Sequence, residues 1–187
     1  GHAGTEAAHA AAQMGCRTAL VTLNPERIGF LSCNPAMGGL AKGQLVKEID
    51  ALGGIMGMQT DKSAIQYRRL NSSKGPAVRS SRAQCDKPLY ALRMQQFLST
   101  ISGISVLGLE AADLLWENVS GKNRISGIRL RDGSVVRAPA VIVTSGTFMR
   151  AVMHMGFEQS EGGRVGDEAS KTLSTSIEEL GFRLRRL

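Results

Sequence analysis

The sequence predicts an α/β fold with a Rossmann-like core, and three observations predict it. Glycines at positions 1 and 4 open an alanine-rich helical segment, apolar runs of strand length alternate with helical patterns, and an Asp-Gly hairpin signal sits among short strands. Thr5 to Met14 reads as a helix that Gly15 closes in a left-handed cap. Thr18 to Leu23 is a mostly apolar strand, so Gly1 to Leu23 forms the αβ half of a βαβ unit whose first strand is missing. Because of that half unit, and because the first residue is Gly rather than Met, the sequence reads as a piece of a longer parent. A second helix spans Leu40 to Leu52, with Leu45, Val46, Ile49 and Leu52 at helical spacing and Gly53-Gly54 beyond its end. Asp86-Lys87-Pro88 supplies an N-cap and a first-turn proline for a helix running towards Gly103, and Ile104 to Leu109 follows as a strand.

From about residue 112 to 138, short strands predict an antiparallel meander inserted in one domain spanning 1–187, with Asp132-Gly133 joining the last two strands. Ala140 to Thr144 reads as a buried parallel strand, and Gly146 then lies at the carboxyl end where open α/β sheets bind ligands. Ser170 to Leu180 makes a last helix, and Phe182 to Arg185 begins a further strand.

The chain has 187 residues, 42% of them hydrophobic, enough for one sizeable core. No apolar run is long enough to cross a bilayer and no signal peptide opens the chain, so a cytoplasmic protein is expected. A net charge of +7 suits a polyanionic partner, although a solvated basic surface has the same composition. Cys16, Cys33 and Cys85 are odd in number and spaced unlike a zinc site, and His2, His9 and His154 lie far apart. Reduced thiols and no metal site are expected, with His9 on a helix face.

The most informative block is Ser32-Cys33-Asn34-Pro35-Ala36-Met37-Gly38-Gly39-Leu40-Ala41-Lys42-Gly43, which packs a thiol, a proline and three glycines into a loop feeding a helix. Cysteine is more often a small buried thiol. Here the glycines, the helix start and Lys42 all favour the thiolate, which argues for a reactive or ligand-facing Cys33 and leaves Cys16 and Cys85 to packing. Gly1-His2-Ala3-Gly4 is half of a dinucleotide-binding glycine turn; a plain helix start is the alternative, and the following helix and strand favour the turn. The acidic residue that would hold a ribose hydroxyl is replaced by Asn24, with Glu26 two residues on. Lys74, Arg79 and Arg82 sit on a glycine-proline loop that is either a solvated loop or a phosphate-backbone contact, and Arg68-Arg69 extend that patch.

Six segments together resemble the MnmG/GidA family of tRNA uridine 5-carboxymethylaminomethyl modification enzymes. They are Gly-His-Ala-Gly-x-Glu-Ala-Ala, Ser-Cys-Asn-Pro-Ala-x-Gly-Gly, Lys-Gly-x-Leu-Val-x-Glu-Ile-Asp-Ala-Leu-Gly-Gly, Ser-Lys-Gly-Pro-Ala-Val-Arg, Arg-Ala-Gln and Gly-Gly-Arg-x-Gly-Asp. They span nearly the whole chain in the family's order. The resemblance implies an FAD-binding domain of glutathione-reductase type, truncated at both ends. It implies an enzyme that works with the GTPase MnmE on C5 of the wobble uridine of certain tRNAs, using NADH and methylene-tetrahydrofolate, as a homodimer in the full-length parent. By motif position it assigns Gly1, His2, Ala3 and Gly4 to the pyrophosphate turn, Ala111 to the adenine, Gly146 and Ser170 to the flavin side, and Cys33 to the modification chemistry. Lys74, Arg79 and Arg82 would hold the tRNA. Where members carry Gly-Lys after Thr-Phe this chain reads Arg150-Ala151-Val152, so no lysine role carries over. This piece alone is expected to be inactive. The rival readings are a folate- and FAD-dependent tRNA uracil methyltransferase of the TrmFO type and a flavin-free RNA-binding or assembly module.

Overall fold

In the computed structural model, which describes residues 1–161 and 172–185, the chain divides into two units. The first comprises Gly1–Leu20 and Asn24–Val106; the second comprises Val21–Leu23 and 107–187.

The chain opens with helix α1, His2–Gln13, and strand β1, Thr18–Thr22, between which Gly15 takes a φ of 82°. Its first helical turn consists of the predicted glycine-turn residues themselves, with Gly1 as N-cap. Strand β2, Ala36–Gly38, follows; helices α2, Lys42–Ala51, and α3, Ile55–Asp61, come next. Strands β3, Ala64–Leu70, and β4, Ser80–Cys85, then lead into helix α4, Lys87–Thr100, and strand β5, Ile104–Gly108. The start of α4 follows the capping rule: the Asp86 carboxylate accepts from the Leu89 N–H at 3.0 Å, and Pro88 occupies the first turn. Strands β1 and β5 pair with each other, while β2, β4 and β3 form an antiparallel sheet with β4 in the centre.

One core fills this unit. Ile28, Leu31, Met37, Ile55, Met56, Ala83, Cys85, Tyr90, Met94 and Leu98 are buried together. Two ring pairs join α1 to α4: His2 meets Tyr90 at 5.7 Å between centroids and His9 meets Phe97 at 5.6 Å. Both pairs are seven residues apart on each helix and in the same order, so the helices run side by side in one direction. His9 is therefore a core residue, only 5% exposed. A second brace is ionic: the Glu6 carboxylate accepts from the N–H groups of Ile55 and Met56 at 2.7 to 3.1 Å, neutralising the positive amino end of α3.

The second unit is built on the predicted meander, with β6, Ala111–Val119, β7, Lys122–Leu130, and β8, Val135–Arg137, paired antiparallel in chain order. Gly133 takes a φ of 86° in the β7–β8 connection, and the Ser134 N–H and hydroxyl hold the Asp132 carboxyl below its ordinary range. Strands β9, Val152–Met155, and β10, Glu158–Glu161, make a hairpin, and helix α5, Leu173–Glu179, is fixed to β6 where the Ser176 hydroxyl accepts from the Leu114 N–H at 3.0 Å. Leu114, Ile128, Leu130 and Leu173 form its core.

Three sequence expectations are corrected. Among the described residues the strands form four small sheets, of two or three strands each, and not one open parallel sheet. Ala140 to Thr144 joins no ladder: Val141 packs into the core, but Ile142 is 68% and Val143 40% exposed. An apolar run becomes a strand only when its backbone pairs with a neighbour, and this one pairs with none of the described strands. Phe182 to Arg185 likewise forms no strand, for the same reason.

Candidate functional site

The amino end of α1 carries no side-chain cap, so its first-turn N–H groups point along the axis from the electropositive end. A Cβ placed on Gly1 would meet nothing within 4 Å.

Cys33 is exposed, on the segment between Arg27 and β2. The sequence reading placed the loop directly on a helix, whereas the structure inserts β2 between Cys33 and α2. From β2 the chain turns through Gly38 at a φ of 89°, Gly39 at 105° and Ala41 at 59°, an unusual conformation for alanine. The turn is held by the Gly39 N–H donating to the Ser81 carbonyl at 2.9 Å and by the Ser80 hydroxyl donating to the Gly39 carbonyl at 2.5 Å. Lys42 reaches back to the Ala36 carbonyl at 3.5 Å.

Those bonds bring together two segments that looked separate in sequence. On the β2–β4 ladder Gly38 stands opposite Arg82, and the Gln44 amide of α2 donates to the carbonyls of Ala77 and Arg79, each at 3.5 Å. The basic loop therefore lies against the glycine-rich turn. The loop is braced internally: the Asn71 amide donates to the Val78 carbonyl at 3.1 Å, and the Arg79 guanidinium donates to the Lys74 carbonyl at 2.9 Å.

Sequence reasoning underused β3. Gln66 pairs with Gln84 and Arg68 with Arg82, so all four side chains share one face of the β3–β4 ribbon. The signal was there as a period of two, in Gln66-x-Arg68-x-Leu70 and Ser80-x-Arg82-x-Gln84.

In the second unit, Ala111 opens β6 opposite Leu130, and Gly146 lies in a turn with a φ of 59°. Ser170 and the 162–167 segment lie outside the described residues. No group of His, Cys, Asp and Glu among the described residues is arranged to hold a metal ion, and no described helix is long and apolar enough to cross a membrane.

The three cysteines differ in environment. Cys16 and Cys33 are exposed, whereas Cys85 is 2% exposed and burial pushes its thiol up from the ordinary value. A raised thiol pKa favours the neutral form in the folded state. That contribution is complete below the unfolded pKa and is lost as pH rises through the folded one. Brief maleimide treatment of the native protein, read by peptide mass mapping, is expected to label Cys16 and Cys33 and spare Cys85 until the protein unfolds.

The described residues thus set an uncapped helix start at Gly1 and an arginine-bearing antiparallel ribbon in one α/β chain. A model of the family described as glucose inhibited division protein A matches residues 1–187, and the chain belongs to that family. It is 51% identical over 187 residues to the tRNA uridine 5-carboxymethylaminomethyl modification enzyme MnmG of Geobacter sulfurreducens and 49% identical to that of Bdellovibrio bacteriovorus. All of this chain aligns, and it spans 29% and 28% of those two proteins. The solved structure of Aquifex aeolicus GidA superposes with a TM-score of 0.90 at 43% identity, covering 97% of this chain and 30% of that one. A GidA-related protein from Thermus thermophilus shares the fold at a TM-score of 0.60 and 20% identity, covering 95% of this chain and 64% of that one.

Proposed function

We propose that this chain is the FAD-binding part, of glutathione-reductase type, of an enzyme that modifies C5 of the wobble uridine of tRNA. The product is an aminomethyl or carboxymethylaminomethyl uridine. The enzyme acts with a GTPase of the MnmE type, as a homodimer in the cytoplasm, using NADH and methylene-tetrahydrofolate. The observation that carries the reading is the identity of about half the residues, over the whole chain, to two proteins named for that modification.

The amino end of α1 has no side-chain cap and carries the positive end of the helix, which supports placing a pyrophosphate there, where Gly1, His2, Ala3 and Gly4 would hold it. Ala111 would meet the adenine, with Gly146 and Ser170 on the flavin side. FAD, when bound, would supply hydride and electron transfer at this site.

Cys33 supplies the nucleophile. Uracil C5 is poorly nucleophilic, and addition of a thiolate at C6 forms an S–C6 bond and moves the ring's π electrons to C5 and O4. C5 then attacks the methylene carbon of the folate iminium, whose π pair moves onto the folate nitrogen; that nitrogen later leaves as tetrahydrofolate and is replaced by ammonium or glycine, the source of the product's amine. Loss of the C5 proton to a base and breakage of the S–C6 bond restore the uracil ring and the thiolate. Exposure of Cys33 on its loop suits attack on a base presented from outside. Lys74, Arg79 and Arg82 would hold the tRNA backbone.

The full-length protein carrying this sequence is expected to purify with flavin, seen as the near-ultraviolet and blue absorbance bands of oxidised FAD. A colourless full-length protein that also fails to take up added FAD would refute the cofactor assignment.

A further inference from the structure

We infer that Arg68 and Arg82, flanked by Gln66 and Gln84 on one face of the β3–β4 ribbon, form a binding site for a phosphodiester of the RNA substrate. The inference rests on the proposed tRNA-modifying function and assigns it a specific contact.

Three observations support it. Arg68 and Arg82 are direct cross-strand partners, and like charges placed opposite each other in an antiparallel pair oppose folding. Among the described residues neither guanidinium faces a carboxylate, so no counter-charge offsets that repulsion across the ladder. Two cations kept together without a counter-charge are the arrangement an anionic ligand would complete. The second observation is space: a concavity of about 150 Å³ opens on this face, lined by Gln66, Arg68, Leu70, Arg82 and Gln84. With a water occupying about 30 Å³ of liquid, that volume admits a phosphate group.

The third is donor geometry. Guanidinium forks pair bidentately with phosphate oxygens, and the two glutamine amides beside them add donors for a phosphate or a ribose hydroxyl. The shared chemistry, a phosphate ester, also exists in a dinucleotide cofactor. Position favours RNA: the strands carrying the pair are joined by the braced loop with Lys74 and Arg79, which brings further cations to the same ribbon for a polyanionic backbone.

The test uses the full-length flavin-loaded protein, an unmodified tRNA anticodon stem-loop as probe, and the variants Arg68→Gln, Arg82→Gln and their combination. Fluorescence anisotropy across a salt series gives the affinity and its salt dependence. Each single change is expected to weaken binding and to lower the log–log salt slope by roughly 0.7 to 0.9, with the double change lowering it about twice as far. The flavin-to-protein ratio should stay unchanged. Because the substitutions relieve like-charge repulsion, the melting temperature should not fall, which separates lost contact from lost fold. RNA affinity and slope unchanged in a normally melting double variant would overturn the assignment. Loss of flavin with RNA affinity intact would also overturn it, assigning the pair to the cofactor. If the wild-type protein fails to bind the stem-loop at all, the functional reading fails with it.

Discussion

Replacing Cys33 by serine in the full-length protein is expected to leave the flavin bound and to abolish wobble-uridine modification, by at least about a hundredfold. The expectation follows from the chemistry of addition at C6. A thiol is partly ionised near neutral pH and intrinsically nucleophilic, while a serine hydroxyl without an adjacent base is neither. The exposed position of Cys33 means that the change removes no buried contact, so folding should be unaffected. Nucleoside mass analysis of tRNA from cells carrying the variant, alongside the absorbance spectrum of the purified variant, reads both halves. Normal modification with serine at position 33 would reduce the cysteine to a bystander.

The second large effect is on stability. Gly38→Ala places a side chain at a φ of 89° and drives its methyl into the Ser81 carbonyl oxygen on β4. A residue forced into that region costs about 1–3 kcal/mol, and the overlap with backbone adds to it, giving a loss of about 3 kcal/mol or more. That is a large share of the roughly 5–15 kcal/mol that a domain has in total. Gly39→Ala is the control. Its φ of 105° carries the conformational cost, but a Cβ there meets nothing within 4 Å. Thermal unfolding should therefore fall clearly further for Gly38→Ala than for Gly39→Ala. Equal shifts would show that the β2–β4 approach contributes little.

That pair also explains what the sequence could and could not reveal. The glycine-rich block was legible as special, and its glycines were read with the helix start as favouring a reactive or ligand-facing Cys33. Part of its glycine content has another cause, since Gly38 is required by the close passage of β4 and Gly43 by the Ser80 side chain and the Ser81 carbonyl. Nothing local announces that contact, because residues 36–38 and 80–85 are short, small or polar, and far apart in sequence. Features encoded in a few adjacent residues were legible: the Asp86 cap, the Asp132-Gly133 connection and the left-handed Gly15. The error at Ala140 to Thr144 is the converse case. Its composition is that of a buried strand, but strand formation depends on a neighbour that composition does not specify, and two of its apolar side chains remain exposed.

The same distinction holds within the candidate site. The individual residues, Gly1 to Gly4, Cys33, Lys74, Arg79 and Arg82, were identifiable from type and motif. Their grouping was not: the ladder that sets Arg82 between Gly38 and Arg68 is a tertiary fact, and it turns a basic loop into one edge of a cationic ribbon.

Wobble-uridine modification by the full-length protein is read from the tRNA nucleosides of a strain lacking the gene, with and without the full-length gene restored, by mass analysis. The C5-modified uridines are expected to disappear in the deletion and to return on complementation; unchanged levels in the deletion strain would contradict the proposed function.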